Sequence, residues 1–201
     1  MTELNLPETF RLFIAISLPE NVKDEIEKAQ NELRSALPGD SVRWTKRTQF
    51  HLTLKFLGDV EARRAEELAE SLRRACGSFA AVQLHAARIG FFPPRGFPRV
   101  IWVGLEDAGG ELPALQKAIE HAVAGFTHEK AEEKFSGHVT LGRARNIRRP
   151  QAELLVTLAR GMAGRRFGEW RANEVELIRS ELMSGGSRYT TLASARLAEQ
   201  L

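Results

Sequence analysis

The chain has 201 residues, with 29 basic and 26 acidic side chains and a formal charge of +3. Hydrophobic residues make up 43% and charged residues 27%, which supports a packed core and excludes wholesale disorder. The single cysteine, Cys76, excludes an intrachain disulfide and a cysteine-rich metal site, and it suits a reducing cytoplasm. No apolar run approaches the roughly 20 residues of a membrane helix. Glu3 and Glu8 precede the short apolar stretch from Leu12 to Leu18, so no secretory signal is expected.

Arg11 to Ser17 reads as a buried strand. Ser17 and Glu20 have the spacing of a capping box, with Pro19 in the first turn. Val22, Ile26, Ala29, Leu33 and Leu37 then recur at helical spacing until Pro38-Gly39. Val42 to Thr45 is extended, and Phe50 to Leu57 is a strand that Gly58-Asp59 ends. A helix is predicted from about Glu61 to Cys76. Val82 to Phe92 is extended, Pro93 to Gly96 is a turn, and Val100 to Leu105 is a buried strand. Leu112, Leu115, Ile119, Val123 and Phe126 mark an amphipathic helix. The polar run from Thr127 to Lys134 is a loop. A short strand at His138 to Gly142 and a helix from about Pro150 to Met162 follow. Val175 to Leu182 and Tyr189 to Leu197 flank a turn at Ser184-Gly185-Gly186. Extended pairs joined by short turns, mixed with helices, give an α+β class with antiparallel sheets.

The order strand, helix, strand occurs twice, from Leu12 to Leu54 and from Val100 to Leu141. Each copy ends in one pattern, His51-Leu52-Thr53-Leu54 and His138-Val139-Thr140-Leu141. Matching units predict two similar lobes, with outer helices and a cleft between them, in a single bilobal domain over 1–201. Side chains alternate faces along a strand, so His51 and Thr53 share one face and the leucines the other. His138 and Thr140 repeat this. Facing lobes therefore bring two histidines and two threonines into one cleft.

Two imidazoles across a cleft form a general acid–base pair near neutral pH. Such a pair suits in-line displacement at phosphorus, with the threonine hydroxyls holding the non-bridging oxygens. No metal or cofactor is required. Lys55 follows His51 and Thr53 at the same alternation, so it is placed toward phosphate or solvent. Arg143 falls nominally on the opposite face, and reaches phosphate only where the strand bends after Gly142. Phe13, Trp44 and Tyr189 are candidates for stacking a base, against core packing. Arg143, Arg145, Arg148 and Arg149 form a basic stretch near the second histidine. Arginine outnumbers lysine 22 to 7. Its planar fork suits phosphate, but GC-rich coding gives the same bias, and +3 alone does not indicate nucleic-acid binding. His85, His121 and His128 lack the threonine partner, and Cys76 reads as a small buried residue.

At these residues the sequence resembles the two-histidine phosphoesterases. The resemblance lies in His51-Leu-Thr-Leu-Lys-Phe-Leu-Gly58 and His138-Val-Thr-Leu-Gly-Arg143. It extends to Arg11-Leu-Phe-Ile-Ala-Ile16, Ile101-Trp-Val-Gly104, Glu176-Leu-Ile-Arg-Ser180 and Gly186 with Tyr189. The most similar branch is the LigT-like RNA 2′,3′-cyclic phosphodiesterases, also called 2′-5′ RNA ligases. The resemblance implies a pseudo-twofold bilobal fold. It implies metal-independent hydrolysis of RNA 2′,3′-cyclic phosphate ends to 2′-phosphates, with reverse 2′-5′ joining. It makes His51 the proton donor and His138 the acceptor, and it carries Arg143 to the phosphate. Gly137 departs from the proline that many members have there. The expected partners are RNA ends, tRNA fragments among them, met by a cytoplasmic monomer without membrane attachment. Small cyclic nucleotides, ADP-ribose cyclic phosphate, 2′-5′ oligoadenylates and a non-catalytic RNA-end binder stay open. A metal-dependent phosphoesterase has no supporting His-Glu-x-x-His or aspartate cluster.

Overall fold

The computed structural model describes residues 8–37, 39, 41–131, 134–184 and 186–198. Glu3, Pro38 and Gly185, each used in the sequence reading, lie outside them. The described chain forms nine strands and four α-helices. They are β1 (Thr9–Ser17), α1 (Glu20–Ser35), β2 (Val42–Trp44), β3 (His51–Glu61), α2 (Ala65–Cys76), β4 (Val82–Phe92) and β5 (Val100–Asp107). Then come α3 (Glu111–Ala122), β6 (His138–Ala144), α4 (Arg149–Gly161), β7 (Arg166–Ala172), β8 (Glu174–Met183) and β9 (Gly186–Arg196).

The strands form two antiparallel sheets, with spatial order β3-β1-β8-β9 and β2-β6-β5-β4-β7. Four strands of each sheet correspond in place, and β2 adds a fifth beside β6. The α+β class and the two similar lobes follow from this order. The lobes are not contiguous halves, however. Strand β4 comes from the first half of the chain and lies in the second sheet, while the β8–β9 hairpin returns to the first. Helix exchange accompanies this. α1 follows β1 but packs on β7 and α4, and α3 follows β5 but packs on β3 and α2. Each half thus covers the other half's sheet, which ties the lobes into one core.

Alternation places Leu52, Leu54, Val139 and Leu141 in that core, at most 1% exposed. Truncating one of them to alanine costs about 2–5 kcal/mol for the large side chains, by lost transfer energy and the cavity left. The same packing that stabilises the sheets therefore fixes which face of β3 and β6 looks into the cleft.

Four local expectations are corrected. Ser17 does not cap α1; Pro19 is the N-cap residue, and the Ser17 hydroxyl donates to the Glu176 carboxylate. Gly58-Asp59 does not end β3, because Gly58 sits opposite Leu12 beside a register shift and pairing continues to Glu61. The helix predicted from Glu61 begins as a single tight turn at Ala62–Arg64 before α2. The sequence reading did not separate β7, whose alternation from Phe167 is interrupted by a register shift opposite Ala86 and Ala87.

Candidate active site

A cleft of about 610 Å³ opens between the sheets. It is lined by His51 and Thr53 from β3, His138, Thr140 and Arg143 from β6, Trp44 from β2, Phe13 from β1 and Tyr189 from β9. Both His-x-Thr pairs meet there, as alternation requires.

Each histidine is held in the same way. The Nδ1 atom of His51 lies 2.7 Å from the Gln49 carbonyl oxygen, and that of His138 lies 2.8 Å from the Ser136 carbonyl oxygen. A carbonyl oxygen only accepts, so Nδ1 carries the proton in both rings and Nε2 is left for the cleft. Aromatic rings back each imidazole. Phe13 and Tyr189 stand 4.9 Å and 5.5 Å from His51, and Phe92 and Trp102 stand 5.1 Å and 6.4 Å from His138. The Trp102 ring packs against Gly90, where any Cβ would come within 2.2 Å of it, so only glycine leaves this wall in place.

The two histidines differ in electrostatics. Burial pulls the His51 imidazole down from 6.5 to about 4. The hydrogen bond to Gln49 and the Glu176 carboxylate oppose this, and the His138 charge adds to it. The free protein therefore holds His51 neutral at pH 7. The unfolded chain binds a proton at this site below about pH 6.5 and the folded chain only below about 4. Stability due to His51 is thus complete above that window and is lost as pH falls through it. A His51→Gln protein should lose about 2 kcal/mol of this acid sensitivity, less than the whole shift because the ring keeps some contact with solvent. Denaturant unfolding at pH 7.5 and pH 4.5 measures it, and an unchanged pH dependence would refute the burial argument.

Lys55 is a correction. It is 4% exposed, does not line the cleft, and bonds to Glu120 at 2.7 Å and to the Lys130 carbonyl at 2.8 Å. The cause is a β-bulge. Ala15 pairs with Thr53 and Ile14 with Lys55, so Leu54 is an extra residue and the alternation slips. Leu54 and Lys55 both turn inward, and Phe56, 54% exposed, takes the cleft face. The second strand repeats the device. Trp102 pairs with Thr140 and Ile101 with Gly142, so Leu141 is extra and Arg143 swings into the cleft. The sequence reading required a bend after Gly142; the strand deviates one residue earlier, at Leu141, and that brings Arg143 to the cleft. At Gly142 a Cβ would come within 2.8 Å of Val42, so β2 can lie against this bulge only over glycine.

Phe13 is also corrected. At 3% exposed it has little face to offer a base, and it packs with Ala15, Ile178 and Tyr189 behind His51. Trp44 and Tyr189 are half-buried at the cleft wall. Burial raises the Tyr189 hydroxyl above 10, opposed by the Arg143, Arg11 and Arg43 guanidiniums. Arg11, Arg43 and Phe56 are cleft residues that the sequence reading missed. Laying His51-Leu-Thr-Leu-Lys-Phe56 over His138-Val-Thr-Leu-Gly-Arg143 equates Phe56 with Arg143 and would have found it. Glu129 also lines the cleft.

Of the remaining basic stretch, Arg149 pairs with Glu153 at 2.9 Å on α4. His85 faces Glu169 on the neighbouring strand at 3.1 Å. Cys76 is fully buried, and burial pushes its thiol up to about 12, far from a nucleophile's range. Among the described residues no group of three His, Cys, Asp or Glu side chains is placed to hold a metal ion. No described helix is long and apolar enough to cross a membrane.

Two corresponding sheets that aim paired His-x-Thr strands into one cleft define the bilobal class of two-histidine proteins. The profile of the LigT like phosphoesterases matches the chain twice, over residues 16–102 and 103–189. The chain belongs to this family. An RNA 2′,3′-cyclic phosphodiesterase of Methanothermobacter thermautotrophicus is 29% identical over 189 residues, 93% of this chain and 98% of that protein. One from Aeropyrum pernix is 35% identical over 151 residues, 74% and 82% of the two chains. The crystal structure of TT0787 of Thermus thermophilus superposes with a TM-score of 0.75 at 28% identity, covering 95% of this chain and all, 100%, of that one. The fold is also that of E. coli LigT complexed with 3′-AMP, with a TM-score of 0.74 at 24% identity over 96% of this chain and 100% of the other.

Proposed function

We propose that the protein hydrolyses RNA 2′,3′-cyclic phosphate ends to 2′-phosphates, with His51 and His138 as the acid–base pair. The observation that carries this reading is the doubled arrangement itself: two imidazoles with Nδ1 tied to the carbonyl two residues back, above two threonines, in one cleft. Curated relatives named RNA 2′,3′-cyclic phosphodiesterases support the substrate.

Water attacks phosphorus in line with the 3′ oxygen. Nε2 of neutral His138 takes the water proton, the P–O3′ bond breaks, and Nε2–H of charged His51 protonates the 3′ oxygen. The products are a 2′-phosphomonoester and a 3′-hydroxyl. Thr53, Thr140 and Arg143 hold the non-bridging oxygens as charge builds. With a 5′-hydroxyl attacking in place of water, the same P–O3′ bond breaks, His138 takes the hydroxyl proton and His51 protonates the 3′ oxygen, so the ends join through a 2′-5′ bond; the reverse of that joining cleaves a 2′-5′ bond back to a cyclic phosphate and a 5′-hydroxyl. We further infer that residues 1–201 act as one bilobal monomer with an internal duplication, in the cytoplasm, with tRNA fragments among the RNA ends it meets.

The donor role asks for a charged His51, which burial opposes in the free protein. An anionic phosphate between the rings supplies the missing counter-charge. NMR titration should therefore show the His51 pKa rising when a 2′-nucleoside monophosphate binds. A flat response would assign the donor role to His138 instead.

Arg43 and Arg143 stand opposite each other on β2 and β6, and both line the cleft. Like charges so placed repel, and no carboxylate among the described residues is in ion-pair contact with either. An anion between them removes the cost. With Arg143 on the terminal phosphate, Arg43 reads the next phosphate along a chain, which favours oligonucleotides over mononucleotides. Arg43→Ala should weaken an oligonucleotide end about tenfold and lower the salt slope by about 0.7. A cyclic mononucleotide should lose far less. Equal losses on both would place Arg43 on the terminal phosphate.

The direct test is product analysis. A short RNA ending in a 2′,3′-cyclic phosphate is incubated with the protein in excess chelator. A 2′-phosphate end is expected; binding without turnover would make the protein an end-binding module, and neither would redirect attention to small cyclic substrates.

A further inference from the structure

The bulges that aim Phe56 and Arg143 are themselves held from outside the sheets, by the exchanged helices. Gln116 on α3 is 3% exposed, and its Nε2 donates to the carbonyl of Leu54 at 3.3 Å. Gln30 on α1 is 4% exposed, and its Nε2 donates to the carbonyl of Leu141 at 2.9 Å. Leu54 and Leu141 are the equivalent extra residues of the two bulges. The glutamines are equivalent too: Gln30 lies 21 residues before His51, and Gln116 lies 22 before His138. A buried amide is costly unless bonded, so its retention at both places marks a shared task.

The surroundings differ in one informative way. Gln116 also bonds to Glu120 at 3.2 Å, and Glu120 holds Lys55, the residue after the bulge. Gln30 instead reaches the Thr45 carbonyl at 2.8 Å, and the Thr45 N–H also donates to Leu141 at 2.8 Å, so it knits β2 to the bulge of β6. One bulge is locked through an ion pair and the other through an added strand. Both use a glutamine on the helix contributed by the opposite half.

We propose that Gln30 and Gln116 are positioning residues that fix the two bulges, so that Gln30 sets Arg143 and Gln116 sets Phe56 in the cleft. This rests on the reading of the cleft as the site of phosphodiester hydrolysis. Neither glutamine touches substrate. Each acts through the side chain two residues beyond the leucine it holds. The helix of one half thereby sets the cleft residue presented by the other.

Crossed double mutants test this. Gln30→Met and Gln116→Met are each combined with Arg143→Ala and with Phe56→Ala, and kcat/KM on the cyclic-phosphate RNA is measured. Gln30→Met should lower kcat/KM about tenfold by misplacing Arg143, should do so equally in the Phe56→Ala background, and should have almost no effect in Arg143→Ala. Gln116→Met should show the mirror pattern. A loss of the same factor in every background, or no loss at all, would overturn the proposal. If a methionine variant does not fold, NMR of the wild-type protein decides. The Gln30 and Gln116 side-chain amide protons should exchange slowly and shift when 2′-AMP binds, and free exchange would refute the clamp. If the wild-type protein does not turn over RNA, the reading of function fails separately, and the crossed pattern is then sought in the affinity for inorganic phosphate.

Discussion

Replacing either His51 or His138 with alanine should lower turnover of a cyclic-phosphate RNA by about 10²–10⁴-fold. The double mutant should fall little further, because an acid and a base that act in one transition state are lost together. Folding should survive, since both rings stand at the cleft surface, backed by other aromatics, and neither holds a core position. The pH dependence of kcat/KM should be bell-shaped, with two apparent values that belong to the pair. Steady-state kinetics on the three variants beside wild type checks all of this. Near-wild-type turnover in either single variant would sink the mechanism, while RNA binding would remain to be explained by the threonines and arginines alone.

The second large effect is on stability. Lys55→Met should destabilise the fold by about 3–5 kcal/mol, because it removes the cation bonded at 2.7 Å to the Glu120 carboxylate on α3, where both side chains are largely out of solvent. For a chain of this size that lowers Tm by roughly 6–20 °C. Lys55→Met with Glu120→Met together should recover much of the loss, since an apolar pair replaces a desolvated ionic one. Thermal unfolding of the single and double variants is the measurement. Unchanged Tm with weakened phosphate binding would restore Lys55 to the cleft, where plain alternation had placed it.

Lys55 also shows where reading the chain alone stops. His51, Thr53, His138 and Thr140 were legible because period-2 alternation holds over the first three residues of each strand, and the doubled pattern marks both strands. Beyond them a single extra residue reverses the faces. Nothing in the local sequence announces Leu54 or Leu141 as that residue, because a bulge is decided by the pairing partner on β1 or β5. Phe56 and Arg143 therefore entered the cleft, and Lys55 left it, for reasons that lie on other strands. Phe13 failed differently: its type suits stacking, but its burial depends on Ile178 and Tyr189, more than a hundred residues away.

The sequence by itself determined the α+β class, the duplication, the two histidines with their threonines, and the resemblance that named the family. These are properties of local periodicity and repeated pattern, which need no long-range contact to be expressed. Only the tertiary structure decided the exchange of strands and helices between halves, the two bulges with their glutamine clamps, and the facing pair Arg43 and Arg143. It also decided that His51 is held neutral in the free protein. Each of these depends on which distant segments share a sheet edge, a core or a low-dielectric pocket, and such proximity is a product of the whole chain's packing.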